Sequence, residues 1–103
     1  MQSICKGVMQ SKFNIFGTEW EITLVDKIET NEENHFIFGD CDIVSHTIRI
    51  VTKDREGNDL DERTLKTTLY HELTHAILDE GAYHDTSGDE PLVEWFGKCL
   101  LSL

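Results

Sequence analysis

The sequence predicts an α+β domain: a small sheet of three to four strands, antiparallel or mixed, followed by two packed helices. Three observations carry that prediction. Apolar residues alternate in the half of the chain before Asp54, they recur at intervals of three and four after Leu60, and turn and capping residues cluster where the pattern changes. With 103 residues the chain has room for one core, so residues 1–103 are expected to form a single domain.

Phe13 and Ile15, then Trp20, Ile22 and Leu24, occupy alternate positions on either side of Gly17 and Thr18, which predicts a hairpin turning near Gly17. Asp26 to Asn34 is polar and acidic and reads as a connecting loop. His35 to Phe38 is a short apolar run, expected to be a strand stopped by Gly39 and Asp40, and His46 to Thr52 is a further strand with Ile48 and Ile50 on one face. Asp59 stands three residues before Glu62 and suggests a helix N-terminal cap. From Leu60 the residues Leu65, Leu69, Leu73, Ala76 and Ile77 mark one face of a helix expected to run to Glu80 and to end in a left-handed Gly81. Tyr83 to Asp89 reads as a loop. Pro91 opens a last helix, with Leu92, Val93, Phe96, Leu100 and Leu103 as its expected buried stripe.

Composition excludes several functions. A net charge of −11 repels a phosphate backbone, so nucleic acid is not an expected partner, whereas a basic protein would be attracted. No apolar run approaches the ~20 residues of a membrane span, and Met1 to Gln10 lacks the apolar stretch of a signal peptide, so a cytoplasmic protein is expected. Cys5, Cys41 and Cys99 have no CxxC spacing and are expected to be reduced, packed thiols.

The chemistry concentrates in His71-Glu72-Leu73-Thr74-His75, an HExxH sequence inside the long helix. Residues four apart lie on one helix face, so both imidazoles can point at one ion. Glu72 lies roughly 100° round the helix from His71, beside that ion instead of on it. Zn2+ in such a site lowers the pKa of a bound water towards ~7, and Glu72 is the candidate general base. An open zinc site needs a third protein ligand. The continuation after His75 is Ala76-Ile77-Leu78-Asp79-Glu80-Gly81, which excludes the xxGxxH of metzincins and leaves a carboxylate of the next helix. Glu94, well inside that helix and three residues before Gly97, is preferred, with Glu90 as the alternative; Gly97 would let the two backbones approach. Asp79, one turn beyond His75, can orient an imidazole or be a solvated helix-end acid. Tyr83 and His84 are either donors to a developing oxyanion or ordinary loop residues. His35 and His46 are expected to be structural.

Strands, a helix carrying HELTHAIL, a short loop and a helix reading EPLVEWFGKCL together resemble small gluzincin-type zinc peptidases, among them phage and prophage minigluzincins and the ImmA/IrrE metallopeptidase domain. The resemblance spans roughly Ile22 to Leu103. It implies His71 and His75 as ligands, Glu72 as base, a glutamate of the following helix as third ligand, and a protein or peptide substrate in a bacterial cytoplasm. The ImmA/IrrE group favours ExxANxFA where this chain has Glu90-Pro91-Leu92-Val93-Glu94-Trp95-Phe96-Gly97; superposing Phe96-Gly97 would set Glu90 at that family's glutamate. The expected function is therefore a zinc metallopeptidase. Its rival is an acidic, non-catalytic binding protein with a structural zinc, directed at a basic partner.

Overall fold

A computed structural model describes residues 10–30 and 35–103. The expectations for Cys5, for most of Met1 to Gln10 and for residues 31–34 of the acidic loop lie outside the described residues. Strands β1 (Gln10–Ile15) and β2 (Thr18–Val25) form the expected hairpin, closed by Phe16 and Gly17 with φ of 50° and 88°. Positive φ at both central residues matches the turn twist to that of the strands, and a glycine adopts it without steric cost.

Strand β3 (Gly39–Asp42) and strand β4 (Thr47–Val51) complete one mixed sheet in the order β1-β2-β4-β3. β4 runs parallel to β2 and antiparallel to β3, so β3 forms one edge of the sheet and β1 the other. His35 to Phe38 is not a strand: pairing begins at Gly39, the residue expected to end it. β4 ends at Val51, bonded to the Phe38 carbonyl, and leaves the residues before it no partner strand. A Cβ at Gly39 would stand 2.7 Å from the Arg49 carbonyl oxygen and 2.7 Å from Thr68 Cγ2, so the missing side chain lets this edge strand lie against the helix behind it.

Helix α1 (Glu62–Glu80) begins after Asp61, whose carboxylate accepts a 2.7 Å hydrogen bond from the Thr64 N–H. The cap is thus Asp61 and not Asp59. Asp59 instead bridges to Lys53, and the Leu60 N–H bonds the Thr52 carbonyl, which holds the chain extended up to the helix. At the other end Gly81 keeps a negative φ of −82°, and the left-handed residue is Ala82, at 65°. A four-residue turn, α2 (His84–Ser87), interrupts the expected loop and leads into α3 (Glu90–Leu101), with Pro91 in its first turn.

Ile15, Trp20, Ile48 and Ile50 from the sheet pack against Leu65, Leu69 and Ala76 of α1. Trp20 is wholly buried, and its indole N–H donates to Glu80 Oε1 at 2.8 Å, tying the last turn of α1 to β2. His46, at φ 55°, stacks edge-on against Trp20 and stands 3.4 Å from Glu80, a structural place.

The α3 stripe is only partly as expected. Val93 and Gly97 are buried, but Leu92, Phe96 and Leu103 are exposed, as is Trp95 at 61%. One helix, α1, and the short α2 cover one side of α3, and nothing among the described residues covers the other. Cys99, expected to be packed, is exposed on that helix, while Cys41 is half-buried in β3. Among the described residues no helix is long and apolar enough to cross a membrane.

Candidate metal centre

α1 presents a stripe of residues to a cleft of about 710 Å³. Arg63, Thr67, His71 and His75 follow one another at intervals of four, with Thr64, Thr68 and Glu72 beside them, the register that puts a row on one helix face. The opposite wall is His35 to Cys41, including β3, and the start of α3 closes the cleft near the two histidines. Gly97 makes that closure possible. A Cβ there would lie 3.3 Å from both Cα and N of His71, so the glycine allows the two helix backbones to approach as the sequence suggests.

Glu90 meets both imidazoles: its carboxylate oxygens stand 3.2 Å from His71 Nε2 and 2.9 Å from His75 Nε2. One donor atom from each of His71, His75 and Glu90 lies within 4.8 Å of the others, and these residues can hold a metal ion. Of the two glutamates weighed, the structure brings Glu90 into the group. Glu94, the preferred one, sits instead on the far nitrogen of His71, with its Oε2 3.0 Å from Nδ1. The reason lies in the helix start. Asp89 caps α3 by accepting from the Leu92 N–H, and Glu90, in the first turn, thereby faces the imidazoles.

The hydrogen bonds fix which nitrogens are available. A carboxylate accepts only, so each His71 nitrogen that bonds one carries a hydrogen: Nδ1–H donates to Glu94, and a metal would take the place of the hydrogen on the Nε2 that faces Glu90. His75 Nδ1 lies 3.1 Å from the buried Ser87 Oγ, whose own hydroxyl points back to the His75 carbonyl at 3.5 Å. With Ser87 as acceptor, His75 Nε2 is the nitrogen that faces Glu90, where a metal would replace its hydrogen. Both imidazoles are therefore oriented through the nitrogen that does not face the cluster, the arrangement that settles the tautomer of a metal-binding histidine. The two imidazoles reach different oxygens of the one carboxylate, at 3.2 and 2.9 Å, and one donor atom of each of the three residues lies within 4.8 Å of the others, close enough to converge on one ion. The residues fit a metal. Side-chain exposures of 19% for His71 and 16% for His75 also argue against two ordinary solvent-facing histidines.

Glu72 lines the same cleft from the buried side of α1. Burial pushes its pKa up from 4.5 to about 7; the His71 charge opposes that shift, and the carboxylates of Asp40 and Glu90 add to it. Asp40 itself is held by Arg49, whose Nε donates to it at 2.9 Å. Asp79 lines the cleft but orients neither imidazole; it pairs with His84 Nδ1 at 3.1 Å. His84 and Tyr83 are exposed and do not line the cleft. Ser87 is the site residue that the sequence did not point to. Its one signal was its place in a tight Thr-Ser-Gly turn between the two helices.

Comparison with models of protein families, with curated proteins and with solved structures gives no match for this chain.

Proposed function

We propose that this protein is a zinc-dependent peptidase that cleaves a protein or peptide substrate. The observation that carries the reading is the meeting of His71, His75 and Glu90 in one cleft with Glu72 buried beside them. Zinc suits two imidazoles and one carboxylate, the ligand set of an open site that retains a position for water or substrate. When bound, zinc supplies a Lewis acid that acidifies a water and polarises a carbonyl.

The chain's own residues do the rest. Glu72 takes the proton of the attacking water and returns it to the departing amine, from a buried position that lines the cleft beside the imidazoles. Glu94 and Ser87 keep the imidazoles in the required tautomer. β3 pairs only with β4 among the described residues, so its other edge is left to hydrogen-bond an extended peptide along the cleft.

The test is cleavage of unfolded proteins by the zinc-loaded chain, with new termini read by mass spectrometry. Wild type is expected to generate them, and Glu72→Gln to keep zinc while losing roughly 10² to 10⁴-fold in rate. Equal cleavage by the two proteins, or none by zinc-loaded wild type, overturns the proposal. An acidic binding protein would instead keep its effect in Glu72→Gln and lose it steeply as salt rises.

A further inference from the structure

The cleft is electrically lopsided. Asp40, Glu72, Asp79, Glu90 and Glu94 all line it, whereas among the described residues Arg63 is the one lysine or arginine on its walls. Arg63 belongs to the same helical row as the histidines, eight residues before His71. At ~1.5 Å of rise per residue, that places its backbone about 12 Å along the helix from the metal centre.

Among the described residues no acid lies within salt-bridge distance of Arg63, whose charge is felt by the Asp61 carboxylate, and two hydroxyls beside it on the cleft wall are engaged elsewhere. The hydroxyl of Thr67 donates to the Arg63 carbonyl at 2.8 Å, and that of Thr68 to the Thr64 carbonyl at 3.0 Å. The wall between Arg63 and His71 therefore spends its donors on the helix backbone and offers a peptide little polar recognition of its own. Recognition at that end of the cleft falls to the guanidinium.

We propose that Arg63 is a specificity residue that binds a carboxylate of the substrate roughly three to four residues from the scissile bond, the distance that an extended chain rising ~3.3 Å per residue covers in 12 Å. The inference rests on the peptidase reading for the identity of the ligand as a peptide. It runs against the whole-molecule charge: the net −11 field attracts basic segments in general, while this end of the cleft selects an acidic group. A guanidinium can take a carboxylate through two parallel N–H donors, which a lysine in its place cannot reproduce. The carboxylate can come from an Asp or Glu side chain or from the peptide's own C-terminus.

The experiment measures binding apart from cleavage. Zinc-loaded Glu72→Gln, alone and combined with Arg63→Ala, Arg63→Lys or Arg63→Glu, is titrated with synthetic peptides. Glutamate is moved through each position of an otherwise neutral sequence, with the C-terminus either free or amidated. With Arg63 present, one position is expected to bind about three- to tenfold tighter with Glu than with Gln, an advantage that shrinks as salt rises. Arg63→Ala should erase that preference, Arg63→Lys recover part of it, and Arg63→Glu turn it towards Lys. Dependence on the free C-terminus alone would identify the terminal carboxylate as the group bound. A Glu preference that survives Arg63→Ala, or no positional preference at all, overturns the assignment. Failure of the peptidase reading is seen separately, as zinc-loaded wild type leaving every one of these peptides uncut.

Discussion

At the scale of single residues, Glu90 and Glu94 take different places around the imidazoles, where one glutamate was expected as third ligand and Asp79 was the acid that could orient a ring. Glu90 faces both imidazoles and Glu94 faces only the outer nitrogen of His71. Glu90→Ala is accordingly expected to abolish stoichiometric zinc, whereas Glu94→Ala should weaken it by roughly 10- to 100-fold while leaving one ion bound at saturation. Isothermal titration of the two variants checks this, and the reverse order would make Glu94 the ligand. His71, Glu72 and His75 were legible in the sequence because helical periodicity alone determines their relation. The third carboxylate was legible only as a choice between two. Both glutamates share a face of α3, and which one meets the imidazoles depends on how α3 is capped and where it crosses α1. Ser87 was not legible, because its contact with His75 depends on the turn of α2 and not on any spacing.

At the scale of elements, the centre depends on how closely α3 lies against α1. Gly97 packs on the His71 backbone, where a methyl group would be 3.3 Å from two backbone atoms. Gly97→Ala gains about 1 kcal/mol of helix propensity but forces two rigid backbones apart, a strain of about 1 to 3 kcal/mol. The expected outcome is a protein that keeps its helicity, melts no higher than wild type and holds zinc several-fold more weakly, measured by circular dichroism and metal titration. Zinc affinity equal to wild type would show that the approach at Gly97 does not set the centre. The fold class, the hairpin and both long helices followed from periodicity and punctuation. The expected strand at His35 to Phe38 did not form, because β4 ends at Val51, bonded to the Phe38 carbonyl, and leaves the residues before it no partner strand. The exposed side of α3 was misjudged for a related reason: an apolar helix face predicts burial only when another layer covers it.

At the scale of the whole molecule, the buried Glu72 carboxylate links stability to pH. Its pKa is raised from 4.5 to about 7, so the folded, metal-free protein holds this proton more tightly than the unfolded chain does. The group therefore costs no stability below about pH 4.5. The cost grows as pH rises towards 7 and levels off above it, at roughly 1 to 3 kcal/mol. Urea unfolding of metal-free wild type and Glu72→Gln at pH 5 and pH 8 should show the variant gaining on wild type at the higher pH; parallel behaviour of the two proteins would exclude this linkage. The two tryptophans give such measurements an internal reference. Trp20 is sealed in the core against Glu80, while Trp95, next to Glu94 in the chain, is 61% exposed. Trp20 should fluoresce at shorter wavelength and escape a soluble quencher until the chain unfolds, whereas Trp95 should be quenched already in the native state. Quenching can thus separate the signal of the core from that of the α3 surface, without any label added to the protein.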